Sequence, residues 1–263
     1  MVSASGAAAW RSQRILEVLL RAGQISVDEL AALLNVSAAT IRRDLTLLER
    51  QGLLRRTHGG AISVEPMLYE PFRHNSSFQS HERLFAEEKR HIGLAAAELI
   101  ADGETIALTP GTTATQVARS IRHRKGITVV TNAVNIAMEL SHRDDLTVFV
   151  TGGFLRGMWF SLVGHSGMQA VGELFVDKIF IGVDGIDVER GLTSRQADEA
   201  AVIRAMIRQA RRKIVVTDHS KLGRVDAALI CATSEIDTLV TDSGAADDVI
   251  APFIAQGFEV LRA

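Results

Sequence analysis

A short segment in the middle of the chain places a glycine and two hydroxyl side chains at the start of a predicted helix. Gly111, Thr112 and Thr113 follow the apolar run 105–108, which we expect to be a buried strand. The first N–H groups of a helix have no partner within it, and with the helix dipole they favour an anion. A helix N-cap followed by a turn would explain an isolated Gly-Thr-Thr. The neighbouring loops must therefore decide whether this segment is structural or binds a ligand.

Polar loops also follow the other predicted strands. Because ligands of parallel sheets bind beyond the carboxyl ends of the strands, these loops could surround one ligand. Arg156 and Lys221 would supply the positive charge that a phosphate ester attracts, although either cation taken alone would be assigned to the surface. These loops contain Thr131, Asn132, Gly152, Gly153, Arg156, Asp184 and Lys221.

A second set of candidate residues lies on a helix near the N terminus. Ser37 is placed to cap this helix, in which Ile41, Leu45 and Leu48 form one apolar stripe. The opposite side and its flanks present small, hydroxyl and basic side chains, namely Ala39, Thr40, Arg42 and Arg43. Most charged helix faces only face solvent. The neighbouring elements therefore decide whether this face has a binding function.

Those elements are two preceding helices and a following basic hairpin. Ser26 and Glu29 have the spacing of a capping box at the start of the second helix. The run 53–62 has two short β-prone segments around a glycine-rich turn, which predicts a wing that carries Arg55, Arg56 and His58. The pattern predicts a winged helix-turn-helix that binds DNA.

The positions of these residues suggest which of them would contact bases and which would contact phosphates. The N-terminal part of a recognition helix faces base edges in the major groove, which suits Ala39, Thr40 and Arg43. Phosphate contacts fix the register without carrying sequence information. They suit the free N–H groups at Ser37 and the side chains of Arg42, Arg55, Arg56 and His58.

The head closely resembles the DeoR family of bacterial repressors. The specific part is VSAATIRRDL followed by QGLLRRTHGGA, and the likeness extends over some fifty residues. The resemblance implies double-stranded operator DNA as a partner.

The rest of the chain alternates short apolar strands with helices, which predicts a mainly parallel sheet covered on both faces. Strands are predicted near 105–108, 127–130, 146–150, 178–181, 213–216 and 238–240. Helices are predicted near 87–100, 113–121, 134–140, 167–175, 199–211 and 246–256. The fold class is therefore α/β, with a small winged helix-turn-helix domain and a larger mainly parallel α/β domain.

This larger part, from about Glu87 to Asp242, resembles the effector-sensing domain of the same family. The matching segments are PGTT, VVTNAVNIA, TGGFLR, SLVG, KIFIGVDGID, RGLTS, DEA and TDHSKLGR. The resemblance implies a fold like those of ribose-5-phosphate isomerases and CoA transferases, and a sugar phosphate or related phosphorylated effector bound by the residues named above. One departure is Thr109, where family members usually carry Asp, followed here by Pro110, which stiffens the loop.

Composition and charge support this division. Residues 1–62 carry eight arginines and five acidic residues, a net charge of +3, and the remainder carries −5. A basic head on an acidic body suggests that only the head meets an anionic polymer. We expect a disordered stretch at 1–10, the DNA-binding domain at 11–62, a linker at 63–85, and an effector-sensing and oligomerisation domain at 86–263.

Several classes of protein are disfavoured by the sequence. No apolar run approaches the roughly 20 residues of a membrane span, and no secretory signal is evident, so a cytoplasmic protein without a membrane partner is expected. The single Cys231 cannot form an internal disulfide, and the scattered histidines do not have metal-site spacing. Neither a metal nor a cofactor is expected.

The favoured function is a DNA-binding repressor of a sugar or polyol catabolic operon that leaves its operator when a phosphorylated sugar-type metabolite binds. We expect a dimer or tetramer, since paired half-sites match protein symmetry. Two alternatives stay open at this point. One is a sugar-phosphate isomerase-like enzyme, suggested by Asp184-Gly185-Ile186-Asp187, and the other is an activator of the same family.

Overall fold

The structure is a computed structural model that divides the chain into two compact units, Met1–Leu68 and Tyr69–Ala263. It describes residues 10–12, 14–16, 18, 19, 22–50, 54–57, 59–63, 76–121 and 124–263. His58 and the predicted disordered residues 1–9 lie outside the described residues. Trp10, the last residue of that predicted stretch, is helical.

The first unit, called the head, is a winged helix-turn-helix. After helical residues between 10 and 22, its elements are β1 (Gln24–Ser26), α1 (Val27–Leu34), α2 (Ala38–Arg50), β2 (Leu54–Arg56) and β3 (Gly60–Ser63). Strands β2 and β3 form the predicted hairpin, with Arg55 opposite Ile62. Strand β1, which the sequence analysis did not predict, pairs with β3 and completes a three-stranded sheet.

Local sequence explains how the helices of the head begin and end. Both halves of the predicted capping box form, with Glu29 N–H donating to Ser26 Oγ at 3.2 Å and Ser26 N–H donating to Glu29 Oε2 at 2.9 Å. Asn35 ends α1 in the left-handed conformation, with φ of 50°, and so allows the tight turn. The predicted stripe of α2, Ile41, Leu45 and Leu48, is buried in the core of the head.

The second unit, called the body, alternates helices and strands. Its helices are α3 (Ser76–Arg83), α4 (Ala86–Glu98), α5 (Thr112–Ser120), α6 (Val134–Leu140), α7 (His165–Gly172), α8 (Ala197–Gln209) and α9 (Asp247–Ala255). Its strands are β4 (Thr105–Leu108), β5 (Thr128–Thr131), β6 (Thr147–Val150), β7 (Phe154–Arg156), β8 (Ser161–Val163), β9 (Val176–Ile181), β10 (Gly185–Asp187), β11 (Gly191–Ser194), β12 (Ala210–Val216), β13 (Ala228–Cys231), β14 (Thr238–Thr241) and β15 (Glu259–Arg262).

Seven parallel strands form the central sheet of the body, in the order β15-β14-β12-β9-β4-β5-β6. Helices α4, α5 and α6 pack on one face, where the core includes Ile106 and Phe180. Helices α8 and α9 pack on the other face, where the core includes Ile179 and Val215. The chain moves outward from β4 through β5 to β6, then returns to β9 on the other side of β4. The strand order therefore reverses between β4 and β9.

The structure departs from the expected linker at 63–85. Residues 76–83 form helix α3, which packs on the body through the Phe78 ring against Phe160 and through Glu82, which accepts from Arg119 at 2.8 Å. The sequence of α3 has no repeated apolar spacing that would predict a helix, because only Phe78 is deeply buried. Strand β15 and the short strands β7, β8, β10 and β11 were also missed. In the described part of the chain, no helix is both long and apolar enough to cross a membrane.

Candidate functional site

An open pocket of about 780 Å³, including solvent at its mouth, lies at the carboxyl ends of three adjacent central strands. The loops that line it follow β4, β9 and β12. It therefore occupies the point at which the strand order reverses, where open α/β sheets bind their ligands. Five of the predicted ligand contacts line this pocket, namely Gly111, Thr112, Thr113, Asp184 and Lys221.

The loop after β4 brings the start of helix α5 to the pocket. Gly111 precedes helix α5 with a φ of 131°, a conformation that a residue with a Cβ rarely adopts. Thr112 and Thr113 begin the nine-residue helix, so its first N–H groups lie at the pocket. The Thr109 hydroxyl is buried and accepts from Gly182 N–H at 2.9 Å, which ties β4 to β9. Pro110, and not Thr109, is the residue that lines the pocket.

Two lysines supply positive charge to the pocket, and the sequence analysis predicted only Lys221. The second is Lys89 of α4, which is 4% exposed; its ammonium donates to the carbonyl oxygens of His81 at 2.5 Å and Leu84 at 2.7 Å. Burial lowers the pKa of both lysines, and the nearby Asp218 partly offsets this. A bound anion would offset the same desolvation, so both lysines favour an anionic ligand.

A helical pattern could have identified Lys89 from the sequence. It precedes Ile92, Gly93 and Ala96 at spacings of three, four and seven residues, and all three are buried. A lysine on the apolar stripe of a helix is a sequence signal of a buried cation, and buried cations need partners.

Two carboxyl groups, Asp184 and Glu199, also line the pocket. Asp184 accepts from the backbone N–H of Arg195 at 2.9 Å. Glu199 of α8 accepts from the Ser161 hydroxyl at 3.1 Å, while burial raises its pKa to about 7, with Asp184 and Asp198 adding to the increase. Carboxyl groups in these positions can bind the hydroxyl groups of a polyol, and a protonated Glu199 can also donate. The sequence analysis did not single out Glu199.

The other five predicted contacts do not line the pocket, because the β7–β8 hairpin occupies the ends of β5 and β6. Asn132 is fully buried and donates its amide to Leu162 O at 3.1 Å, while Thr131 donates to Leu108 O at 2.7 Å. Gly152 and Gly153 form the entry to the hairpin; a Cβ on Gly153 would lie 2.4 Å from Val163 O. Arg156 is exposed and pairs with Asp198, with its Nε 2.9 Å from Oδ2.

Most of the predicted DNA-contacting residues that the structure describes are exposed on or beside α2 and on the wing. Ala39, Arg42, Arg43 and Arg55 are exposed, and none of the three guanidinium groups pairs with a described residue. Ser37 Oγ accepts from Thr40 N–H at 3.2 Å, so this cap forms as expected.

Two head residues have structural partners that the sequence did not reveal. Arg56 Nη1 donates to Thr46 Oγ1 at 2.9 Å, and Arg56 N–H donates to Glu49. Arg56 therefore holds the wing against α2. Arg11, in the first helical residues, pairs with the buried Asp44 of α2, with Nε and Oδ2 2.9 Å apart.

Comparisons with known proteins agree with both units. A family model described as the DeoR-like helix-turn-helix domain matches residues 11–67, and the model of the DeoR C terminal sensor domain matches residues 84–243. The chain belongs to the DeoR family. It is therefore a DNA-binding transcriptional regulator with a sensor domain.

Several relatives in this family align along nearly the whole chain. The putative aga operon transcriptional repressor of Escherichia coli O157:H7 is 35% identical over 258 residues, which cover 95% of this chain and 92% of that one. The HTH-type transcriptional repressor GlcR of Bacillus subtilis (strain 168) is 36% identical and covers 87% of this chain and 86% of its own. The lactose phosphotransferase system repressor of Staphylococcus epidermidis is 33% identical, with 89% and 91% covered.

Solved structures similar to this chain include ribose 5-phosphate isomerase A from Methanocaldococcus jannaschii. It has 16% sequence identity, covers 57% of both chains and gives a TM-score of 0.39. The 4-hydroxybutyrate CoA-transferase of Porphyromonas gingivalis has 13% identity, covers 59% of this chain and 46% of its own, and gives a TM-score of 0.38. Likenesses at this level have no bearing on the function of the pocket.

Proposed function

We propose that this DeoR family regulator represses genes for the use of a sugar or polyol and leaves its operator when a phosphorylated sugar enters the pocket. The observation that carries the proposal is the meeting of Lys89, Lys221 and the start of α5 in one pocket. A phosphate ester is the ligand that two cations and a helix N terminus favour together. Asp184 and Glu199, which also line the pocket, suit the hydroxyl groups of a sugar.

The names of the relatives support a sugar as the source of the signal. One is named as a repressor of a lactose phosphotransferase system and another as a repressor of the aga operon. Both are named as repressors, which favours repression over activation for this chain as well.

The route of the signal in this proposal begins at helix α3. His81 and Leu84 line the pocket, and their carbonyl oxygens accept from Lys89. A phosphate that attracts Lys89 competes with these two acceptors and so loosens the end of α3. In chain order, α3 is the first described element after the head. A ligand can release DNA only by favouring the arrangement that does not bind it, with a typical coupling of about 1–3 kcal/mol.

We further propose that the pocket releases its ligand unchanged. A DNA-binding unit on the same chain is the reason, since an isomerase gains nothing from it. After prolonged incubation with the protein, 13C-labelled glucose 6-phosphate should give an unaltered NMR spectrum. Appearance of the ketose phosphate at a rate proportional to protein concentration would overturn this part of the proposal.

Operator titrations with sugar phosphates test the main proposal. Wild type should release its own promoter DNA with at least one of glucose 6-phosphate, fructose 6-phosphate and N-acetylglucosamine 6-phosphate, and with none of the unphosphorylated sugars. Lys221→Ala should bind the operator normally and stay bound, because the phosphate has lost a cationic partner. Lys125→Ala, at an exposed site away from the pocket, should behave like wild type.

Two results would contradict the proposal. If Lys221→Ala released DNA at the same sugar phosphate concentration as wild type, the anion site would lie elsewhere. If it lost operator binding outright, the pocket would not be separable from DNA recognition.

A further inference from the structure

One side of the body exposes a run of large apolar side chains. The run begins at the end of strand β6 and continues through the β7–β8 hairpin that follows it. Val150 is 41% exposed, Phe154 78%, Leu155 54% and Met158 58%. We call these four residues the arm surface. Apolar residues scattered singly over a surface are ordinary, but four large ones within nine positions of one strand end and the hairpin after it are unusual.

Strand β7 of the hairpin is exposed along its whole length, whereas its partner β8 is buried. Phe154 and Leu155 are successive residues of β7, so their side chains project from opposite faces of the two-stranded ribbon. Each is more than half exposed. Contacts of β8 and the turn, such as Val134 N–H with Phe160 O at 2.9 Å, hold the hairpin on the body but leave these two side chains of β7 exposed.

The two edges of the central sheet differ in a way that points to the same side. Edge strand β15 carries Glu259 and Arg262, which pair with Arg212 and Asp247. Charged side chains on an edge strand discourage pairing with another chain. The opposite edge strand, β6, has the sequence Thr-Val-Phe-Val and no charge. The arm surface therefore continues from the edge of the sheet that lacks this protection.

We propose that the arm surface is the site at which a second copy of the chain docks, with the two hairpins packed against each other across a twofold axis. The charges beside the surface, Arg156 and Asp198, pair with each other, so neither an acidic nor a basic partner is selected. A neutral apolar patch can meet its own copy, as a twofold interface requires.

The area of the arm surface fits an interface of this kind. The exposed parts of its large apolar side chains amount to about 300–400 Å², judged from the size of such residues. A stable interface needs about 800 Å² from each partner, of which the fully buried centre is the most apolar part. The arm surface can form that centre, and the backbone of the free β6 edge with the hairpin turn can supply the rim.

The hairpin also reaches the ligand pocket. Trp159, the residue after Met158, lines the pocket, and its ring meets the His81 ring edge-on with centroids 5.0 Å apart. The pocket residue Trp159 is thus the direct neighbour in the chain of Met158, which belongs to the arm surface. The interface itself does not depend on what the pocket binds, so its test uses neither ligand nor DNA.

Sedimentation equilibrium of the full chain tests the interface. Wild type should sediment as a dimer or a multiple of it, and Phe154→Asp should raise the dissociation constant by about thirtyfold or more, as expected for the centre of an interface. Phe175→Asp is the matched control, because Phe175 is 89% exposed but lies outside the arm surface. It should leave the constant within about threefold of wild type.

A second variant protects the test against misfolding. Leu155→Ser keeps Phe154 in place and removes the contact on the other face of the ribbon, so it should also weaken association by about tenfold or more. Thermal melting followed by circular dichroism shows which variant is folded. A monomeric wild type would overturn the proposal and indicate another occupant of the surface. Folded variants that associate like wild type would also overturn the proposal. A control that dissociates as much as Phe154→Asp would do the same.

Discussion

Glu199 is a carboxyl group whose surroundings oppose its charge. It lies in the pocket wall with Asp184 and Asp198 nearby, and its one side-chain hydrogen-bond donor is Ser161 within the described part of the chain. Burial raises its pKa from 4.5 to about 7. Near neutral pH it therefore exists in both forms, and the neutral form can share a proton with a sugar hydroxyl.

This raised pKa predicts a pH dependence of stability. The folded state binds the proton of Glu199 more tightly than the unfolded state, so the stabilisation is complete below about pH 4.5 and is lost as the pH rises through about 7. Glu199→Gln stays neutral at all pH values. It should therefore raise the free energy of unfolding by about 1–3 kcal/mol at pH 8, relative to wild type, and by little at pH 5.

Urea unfolding at the two pH values measures this difference. Glu98→Gln is the control, because the Glu98 side chain is 81% exposed. An equal effect of Glu199→Gln at both pH values would show that the carboxyl group is ionised throughout and that the amide acts by packing alone.

Arg43 and Arg55 are both exposed on the head, but they belong to different kinds of contact. Arg43 lies on α2, which we propose enters the major groove, and Arg55 lies on the wing. Arg43→Ala should cost about 1–3 kcal/mol at its cognate base pair if the contact is bidentate, and should relax the preference there. Arg55→Ala should weaken all sequences alike, as loss of a phosphate contact does.

Competition binding with operators changed one base pair at a time separates the two effects. Retention of full operator preference by Arg43→Ala would place the base-reading residues elsewhere on the head. A loss of preference confined to one base pair in Arg55→Ala would show that the wing reads bases.

At the scale of elements, the wing depends on a close approach of two strands. A Cβ on Gly60 would lie 2.1 Å from Ile25 O, so any larger residue forces β3 away from β1. Its neighbour Gly59 has open space around it. Gly60→Ala should destabilise the head by about 1–3 kcal/mol through overpacking, whereas Gly59→Ala should have an effect within about 0.5 kcal/mol.

Hydrogen exchange read by mass spectrometry can localise this effect. In Gly60→Ala, exchange should accelerate in β1 and β3 and stay unchanged in the sheet of the body. Equal protection of the two glycine variants would mean that β1 can shift to accommodate the methyl group without cost.

At the scale of the whole molecule, charge is divided between the two units. The head carries +3 up to residue 62, and the remainder carries −5. If the head alone contacts phosphates, operator affinity should fall by about tenfold or more between 50 and 200 mM salt as counterions are released. Lys221→Ala should give the same slope, because its charge belongs to the body.

Fluorescence anisotropy of labelled operator DNA over a salt series checks this prediction. A shallower slope for Lys221→Ala would indicate that the body also neutralises phosphates. If the operator affinity of wild type did not change with salt, this result would contradict the proposal that the arginines of the head contact the DNA backbone.

The sequence by itself determined the local elements and the family. Ser26 with Glu29, the stripe Ile41, Leu45 and Leu48, and the run 105–108 are local patterns, and each element formed as predicted because neighbouring residues contain the information for its caps and periodicity. Helix α3 was missed because it lacks such a local pattern. Its single deeply buried residue, Phe78, is too little for a periodic signal.

Only the tertiary structure decided which loops meet at the pocket. Every predicted strand end is polar, but the sheet places β9 next to β4, so the loops with Gly111, Asp184 and Lys221 converge. The end of β5 is instead held by the β7–β8 hairpin through Asn132. Strand order depends on pairing between distant segments, which no local period encodes. The tertiary structure also revealed the partners of Lys89, because His81 at the end of α3 and Leu84 after it both lie outside its own helix.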